Sequence, residues 1–283
     1  MRWEFGRRSQ NVEDRRGRRV AGPVVGGGIG AILLAVVVTL LGGDPSAILN
    51  QVASDGQSGA PQATSPQEDR LAEFSKVVLA DTEDVWTDLF RRQGANYREP
   101  TLVLFSGSVR SACGYAQSAS GPFYCPTDEK VYLDLSFFEE LASRHQAPGD
   151  AAQAYVIAHE VGHHVQKQLG ILQKIQGLQQ RVSQTQSNQL SIMLELQADC
   201  FAGVWANQAQ RTQRNVALER GDVEEALRAA SSVGDDYIQL KTRGYVVPES
   251  FNHGTSEQRT RWFARGLQTG DPAQCDTFNA SSL

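Results

Sequence analysis

The sequence predicts an α+β fold: a mainly helical domain with a small antiparallel sheet, preceded by one transmembrane helix. A run without any charged residue occupies residues 24–41, strand-like segments follow at 101–105 and 130–135, and helical periodicity dominates from residue 150 onwards. With 283 residues, of which 40% are hydrophobic and 21% charged, the chain can form one sizeable domain plus an appendage. The net charge of -5 argues against general nucleic-acid binding, so no nucleic-acid partner is expected.

The N-terminal region predicts a membrane anchor. Residues 1–22 carry seven Arg against three acidic residues, and an uncharged run follows at 24–41. As a helix this run would be about 27 Å long, close to the roughly 30 Å hydrocarbon core of a bilayer. Because basic residues flank membrane spans on the cytoplasmic side, we predict a basic cytoplasmic arm at 1–22 and a transmembrane helix at 23–42. A cleavable signal peptide and a buried soluble helix are the alternatives; no cleavage site stands out, and the glycines would be costly in a soluble helix.

A linker and one domain complete the chain. Residues 43–69 are rich in Ser, Gln, Gly, Ala and Pro and predict a flexible linker, which leaves 70–283 as the domain. Apolar residues at helical spacing within 71–94 predict one or two helices. The segments “TLVLF” at 101–105 and “KVYLDL” at 130–135 predict strands, since the second alternates apolar with polar residues.

Later helices are indicated by their termini. Asp150 with Gln153 is typical of a capped helix start, and Gly170 closes that helix. A second long helical region covers about residues 190–214. Two further helix starts show the same capping pattern, namely Asp222 with Glu225 and Thr255 with Gln258.

The four cysteines predict disulfides. An even number of cysteines in a domain outside the cytoplasm is typical of disulfide bonding, and four cysteines allow three connectivities. We favour Cys113–Cys125, which closes a short Gly/Ser-rich loop, with Cys200–Cys275 by elimination. Since none of the four lies in a CxxC pair, a thiolate zinc site is not expected.

The stretch “AHEVGHHVQ”, residues 158–166, has the spacing of a metal site. Residues four apart on a helix lie about 40° apart round its axis, so His159 and His163 can point at one metal ion. His164 is about 140° away from His159 and is expected at the surface or in contact with a metal ligand rather than with the metal. Glu160 lies beside the first ligand, where its carboxylate can reach a water without binding the metal. This HExxH arrangement indicates one Zn²⁺ per chain with a carboxylate as general base.

A catalytic zinc usually has three protein ligands and one open position. The strongest candidate for the third ligand is Glu195 in “LELQADCFAGVWAN”, where carboxylates on an apolar helix would be expensive to bury without a partner. Asp199, four residues later, is then expected to orient a ligand imidazole through its free N–H. His253 in “ESFNHGTSEQR” competes as third ligand, but suits an oxyanion-stabilising or substrate-orienting role better.

Several stretches together resemble the neutral zinc metallopeptidase family of bacteria, membrane-anchored proteins related by motif to gluzincin peptidases. They are “AHEVGHHVQ”, “ELQADCFAGVWA”, “GPFYCPTDEKVYLDLSFFEEL” and the opening “MRWEFGRRSQNVEDRRG”, and the likeness covers nearly the whole chain apart from the linker. In gluzincins a glutamate followed four residues later by an aspartate matches Glu195 and Asp199. “FNHGTSEQR” is similar to a His-containing segment before the C-terminal helix of some members, with Gly254 where proline is usual.

The motif and the resemblance predict a zincin-like metallopeptidase domain, anchored in a bacterial inner or plasma membrane by a single span, with its N-terminus cytoplasmic and its catalytic domain periplasmic or extracellular. Its substrate would be a protein or peptide. In zincins the substrate lies antiparallel to an edge strand, and residues 130–135 are the candidate for that strand, with an interior strand as the alternative. The alternative function is a non-catalytic, zinc-stabilised scaffold or binding domain. Glu160 favours the enzyme, because a purely structural site needs no base.

Overall fold

The computed structural model describes residues 1–17 and 64–283. Their fold is α+β, as predicted. The strands are β1 (Val12–Asp14), β2 (Thr101–Phe105), β3 (Ser108–Ser111), β4 (Gly114–Gln117), β5 (Phe123–Cys125) and β6 (Lys130–Asp134). The helices are α1 (Pro66–Arg92), α2 (Ser136–Ser143), α3 (Asp150–Gln168), α4 (Ile171–Gln179), α5 (Gln184–Thr212), α6 (Asp222–Ser232), α7 (Asp235–Arg243) and α8 (Ser256–Thr269).

The main sheet is mixed rather than antiparallel, so that part of the predicted fold class is wrong. Its strand order is β1-β2-β6-β5, in which β1–β2 and β2–β6 are parallel and only β5–β6 is antiparallel. Strands β3 and β4 form a separate antiparallel pair. Parallel pairing is possible because the helix α1 and the long connections separate the paired strands along the chain.

The helices cover one face of the main sheet. Leu102, Leu104, Val131 and Leu133 point into a core shared with α1, α3, α5, α6 and α8, while Tyr132 and Phe105 belong to a smaller cluster on the other face. Strand β6 is therefore buried on both faces and lies between β2 and β5. The prediction that residues 130–135 form the substrate-binding edge strand is wrong for this reason, and β5 is the edge strand beside α3.

Helix α1 begins earlier than predicted. Ser65 caps it, with reciprocal hydrogen bonds between Ser65 and Glu68 and with Pro66 in the first turn. Residues 66–69 therefore belong to the domain and not to the linker. The predicted capping of α8 by Thr255 and Gln258 is present as expected. Helices α3 and α6, in contrast, are preceded by Gly149 and Gly221 at the cap position, so Asp150 and Asp222 lie inside the first turn.

The N-terminal residues are part of the domain. Strand β1 pairs with β2, Arg2 forms a backbone bridge with Ala217, and the Met1 ammonium lies 3.0 Å from an oxygen of Asp150. Residues 1–17, which belong to the predicted basic arm at 1–22, therefore pack against the domain. The predicted transmembrane helix at 23–42 and the linker up to residue 63 lie outside the described residues. Within 1–17 and 64–283, no helix is long and apolar enough to cross a membrane.

The predicted disulfides are both present. Cys113 is bonded to Cys125, which attaches the β3–β4 hairpin to the edge strand β5. Cys200 is bonded to Cys275, which holds the C-terminal segment against α5. Helices α5 and α8 cross closely through glycines: a Cβ added to Gly266 would lie 1.9 Å from the backbone oxygen of Cys200.

Candidate metal centre

The two motif histidines lie on the buried part of α3. His159 and His163 are one turn apart, and the centroids of their rings are 4.8 Å apart. The apolar neighbours Ile157, Val161 and Val165 are almost fully buried, so the helix is fixed in the core while its two imidazoles reach a cavity. Helix α5 crosses α3 closely, because a Cβ on Gly162 would lie 2.9 Å from the backbone oxygen of Ala198.

Helix α5 brings Glu195 to the same point. The Nε2 atom of His159 lies 3.2 Å from one Glu195 carboxylate oxygen, and the Nε2 atom of His163 lies 3.4 Å from the other. Two ligands held about 2.0–2.1 Å from a tetrahedral Zn²⁺ are themselves about 3.3 Å apart. These three side chains therefore match the donor types and the spacing of a zinc site.

Each imidazole is oriented through its second nitrogen. Asp199 accepts a hydrogen bond of 2.8 Å from Nδ1 of His159, as the sequence predicts, and this leaves Nε2 free for a metal. Gln166 accepts one of 2.9 Å from Nδ1 of His163 in the same way. Sequence reasoning missed Gln166, although its position three residues after His163 on the same helix was a usable signal.

A buried arginine neutralises Asp199. The carboxylate is fully buried and accepts hydrogen bonds from Arg259 Nε at 2.8 Å and from the hydroxyl of Tyr155 at 2.5 Å. Burial alone would raise the pKa of Asp199, but the guanidinium of Arg259 and the imidazole of His159 outweigh it and keep the pKa below its usual value. Arg259 ends the “FNHGTSEQR” segment, yet nothing in the sequence assigned it this role, because it contacts Asp199 across 60 residues of chain.

Glu160 lies beside the three-residue cluster but is not part of it. Its side chain is 8% exposed and lines the same cavity as His159 and His163. Among the described residues no hydrogen-bond partner holds its carboxylate. A carboxylate in this position can accept a proton from a molecule bound in the cavity.

His253 and His164 lie in different environments. His253 lines the cavity, and its Nδ1 lies 3.1 Å from Asp235, whose carboxylate also accepts hydrogen bonds from three consecutive backbone N–H groups. The hydrogen bond to Asp235 raises the pKa of His253. Gly254 has a φ of 94°, which proline cannot adopt, and this explains the glycine where proline is usual.

His164 is in the core and not at the surface, so that expectation is wrong. Its exposed fraction is 0%, and its ring contacts the hydroxyl of Tyr124 at 2.9 Å and the backbone oxygen of Arg98 at 2.6 Å. Burial lowers the pKa of His164, which favours the neutral form of the ring. It thereby connects α3 to the edge strand β5 without reaching the metal ligands.

A cavity of about 570 Å³ opens over these residues. One wall is β5 with its flanking prolines Pro122 and Pro126, and α3, α4 and α5 contribute most of the remaining residues. Apart from the cluster itself, Glu160, His253 and Arg259, its lining has no acidic or basic side chain, and its apolar contributors include Phe123, Tyr124, Phe137, Val156, Leu172, Leu194 and Ile238. The site can therefore receive an extended chain with apolar side chains along an unpaired strand edge.

Comparison with known proteins gives one family over almost the whole chain. Residues 1–278 match the family described as “Putative neutral zinc metallopeptidase”. The uncharacterized protein YpfJ of Escherichia coli strain K12 is 50% identical over 292 residues, covering 99% of this chain and all of the relative. The uncharacterized protein Rv2575 of Mycobacterium tuberculosis strain H37Rv is 40% identical over 260 residues, covering 86% of each chain. No solved structure gives a match.

Proposed function

Since the chain belongs to the neutral zinc metallopeptidase family, we propose that it is a zinc-dependent endopeptidase that hydrolyses peptide bonds in proteins or peptides. The observation that carries the proposal is the combination of a three-ligand cluster with a free carboxylate in one cavity. A structural zinc site is usually closed by a fourth protein ligand. Here the cluster of possible ligands among the described residues has three members, His159, His163 and Glu195, and Glu160 lines the same cavity.

The residues of the cavity have different roles in the proposed reaction. His159, His163 and Glu195 would hold the ion, which when bound lowers the pKa of a water to about 7 and polarises the substrate carbonyl. Glu160 takes a proton from the attacking water and returns it to the leaving amine. His253, held by Asp235, can donate to the carbonyl oxygen as negative charge develops there.

Strand β5 is suited to hold the substrate. Among residues 1–17 and 64–283 it pairs only with β6, so its other edge can accept main-chain hydrogen bonds from an extended peptide. Its residues Phe123 and Tyr124 line the same cavity as His163. The disulfide between Cys113 and Cys125 fixes the end of this strand, which limits its movement when a peptide pairs with it.

The disulfides also support a site of action outside the cytoplasm, because such bonds persist mainly in oxidising compartments. Attachment to a membrane through residues 24–41 rests on the amino-acid sequence and stays a prediction.

The test compares the full-length protein with Glu160→Gln. The amide keeps the size of the side chain but cannot accept a proton, so we expect unchanged zinc content and a rate lower by about 10²- to 10⁴-fold, equivalent to about 3 to 5 kcal/mol of barrier. Zinc is measured by atomic absorption, and cleavage of an unfolded protein by mass spectrometry. Glu139→Gln, on the exposed side of α2, is the matched control and should behave as wild type.

Two results would contradict the proposal. Equal cleavage by Glu160→Gln and wild type would remove Glu160 from the mechanism. Tight binding of one zinc ion by a wild-type protein that cleaves none of the unfolded proteins offered would instead favour a non-catalytic, zinc-stabilised scaffold.

A further inference from the structure

The N-terminal residues 1–17, called the arm below, contact the domain along most of their length. Strand β1 pairs in parallel with β2 over three residues and forms the edge of the main sheet. The indole of Trp3 is 92% buried, since its exposed fraction is 8%, and it packs edge-on against Phe74 at a centroid distance of 5.4 Å. Gly6 lies so close to α1 that a Cβ there would be 2.5 Å from Val77. The arm therefore completes both the sheet and the core.

A buried carboxylate of the domain depends on the arm. Glu83 on α1 has an exposed fraction of 0%. Its carboxylate accepts hydrogen bonds from the hydroxyl of Ser9 at 2.5 Å, from the side-chain amide of Asn11 at 2.9 Å and from the guanidinium of Arg7 at 2.9 Å. Among the described residues, every hydrogen-bond partner of this carboxylate belongs to the arm. A buried charge that loses its partners is strongly destabilising, so the domain needs the arm in place.

The end of the arm lies beside the start of α1. The guanidinium of Arg16 lies 2.7 Å from Asp14 in the arm and 3.1 Å from Asp69 in the first turn of α1. Arg16 thus joins the end of the arm to the first turn of α1. The family match begins at residue 1, so it includes the arm together with the domain.

We propose that the arm is a permanent part of the metallopeptidase domain and lies on the same side of any membrane as that domain. A single crossing between residues 17 and 64 would place the arm and the domain in opposite compartments. Glu83 would then lose Arg7, Ser9 and Asn11, and the space of Trp3 in the core would be left empty. The proposal therefore replaces the expected topology, in which a cytoplasmic arm is followed by an external domain. It concerns the placement of the arm and does not depend on the proposed hydrolysis.

Thiol labelling in intact cells tests the placement. All four native cysteines are in disulfides, so a single introduced cysteine supplies the reactive thiol. Phe5→Cys reports on the arm and Leu240→Cys on the domain, because both side chains are exposed, at 103% and 59%. Each variant of the full chain is treated with a membrane-impermeant maleimide, and labelling is expressed as the fraction reached after the cells are lysed.

We expect equal labelled fractions for the two positions, whether both are accessible from outside or both are protected. Protection of Phe5→Cys together with labelling of Leu240→Cys, or the reverse, would overturn the proposal. Because both substitutions lie on the surface, neither is expected to disturb folding.

A second measurement tests the role of Glu83. The backbone around Arg7 and Arg8 is hydrogen-bonded to the domain, from Arg7 N–H to Asn215 and from Ser9 N–H to Lys76. We therefore expect trypsin to cut at these arginines at least tenfold faster in Glu83→Gln than in wild type. Glu139→Gln is the control and should be cut at the wild-type rate. Equal cutting of Glu83→Gln and wild type would show that the carboxylate does not hold the arm. If Glu83→Gln fails to fold, the labelling comparison still decides the proposal.

Discussion

Replacing Gln166 with methionine removes the hydrogen-bond acceptor that orients His163 but leaves His163 itself in place. The side chain of Gln166 is fully buried on α3. Its oxygen accepts a hydrogen bond of 2.9 Å from His163, and its nitrogen donates to the backbone oxygen of Leu194 at 2.7 Å and to the side chain of Gln197 at 3.1 Å. Gln197 in turn donates to the backbone oxygen of Cys275 at 2.9 Å. Methionine keeps the volume of glutamine but offers His163 only a weak acceptor.

The substitution should weaken zinc binding and also lower the stability of the protein. Loss of a partner that orients a ligand imidazole typically weakens metal binding by about 10- to 100-fold, which is about 1.4 to 2.7 kcal/mol. The N–H of His163 and the oxygen of Gln197 also lose their buried partner, at about 1–3 kcal/mol each in the free energy of unfolding. We therefore expect both a weaker zinc site and a protein destabilised by about 2 to 6 kcal/mol.

Competition with a chromophoric chelator measures the zinc affinity, and urea denaturation of the metal-free protein measures the stability. Gln166→Glu restores an acceptor for His163 but not the donated hydrogen bonds, so it should bind zinc more tightly than Gln166→Met while remaining destabilised. Gln173→Met, at an exposed position of α4, is the control. A folded Gln166→Met that binds zinc within twofold of wild type would refute the reasoning.

Three further substitutions test other parts of the structure. His164→Ala should keep zinc, because His164 is not a ligand, but lose about 1–3 kcal/mol of stability, because its buried ring contacts Tyr124. Loss of zinc without loss of stability would contradict this prediction. Burial raises the pKa of Asp81 from 3.8 to about 6, so its contribution to stability is lost as the pH rises from about 4 through 6. The difference in the free energy of unfolding between Asp81→Asn and wild type should therefore shift in favour of the variant by up to about 3 kcal/mol as the pH rises from 4 to 7, as measured by urea denaturation. A difference that does not change with pH would show that Asp81 does not titrate in this range. Gly266→Ala should lower the melting temperature, because its methyl group would overlap the backbone of α5, whereas Gly177→Ala has open space and should not; equal melting temperatures would mean that α5 and α8 can separate without cost.

The sequence by itself determined the local chemistry of the site. The convergence of His159 and His163 follows from the geometry of one helix, and the capping of α8 by Thr255 involves residues only three positions apart. Glu195 was identified because a carboxylate on an apolar helix needs a partner, and that argument also requires no knowledge of the fold. The disulfide Cys113–Cys125 spans 12 residues and was similarly within reach of a local argument.

Only the tertiary structure decided the contacts between distant parts of the chain. Arg259 reaches Asp199 because α8 packs closely on α5, and no periodicity in either helix indicates that pairing. Alternation in residues 130–135 predicts a strand but not its neighbours, and β6 is interior because β2 and β5 pair on its two sides. The arm has the composition of a cytoplasmic basic segment, yet Glu83 binds it 70 residues and more along the chain. The physical reason is that helix and capping preferences act between neighbours in the chain, whereas strand order, buried ion pairs and core packing depend on which surfaces meet when the whole chain folds.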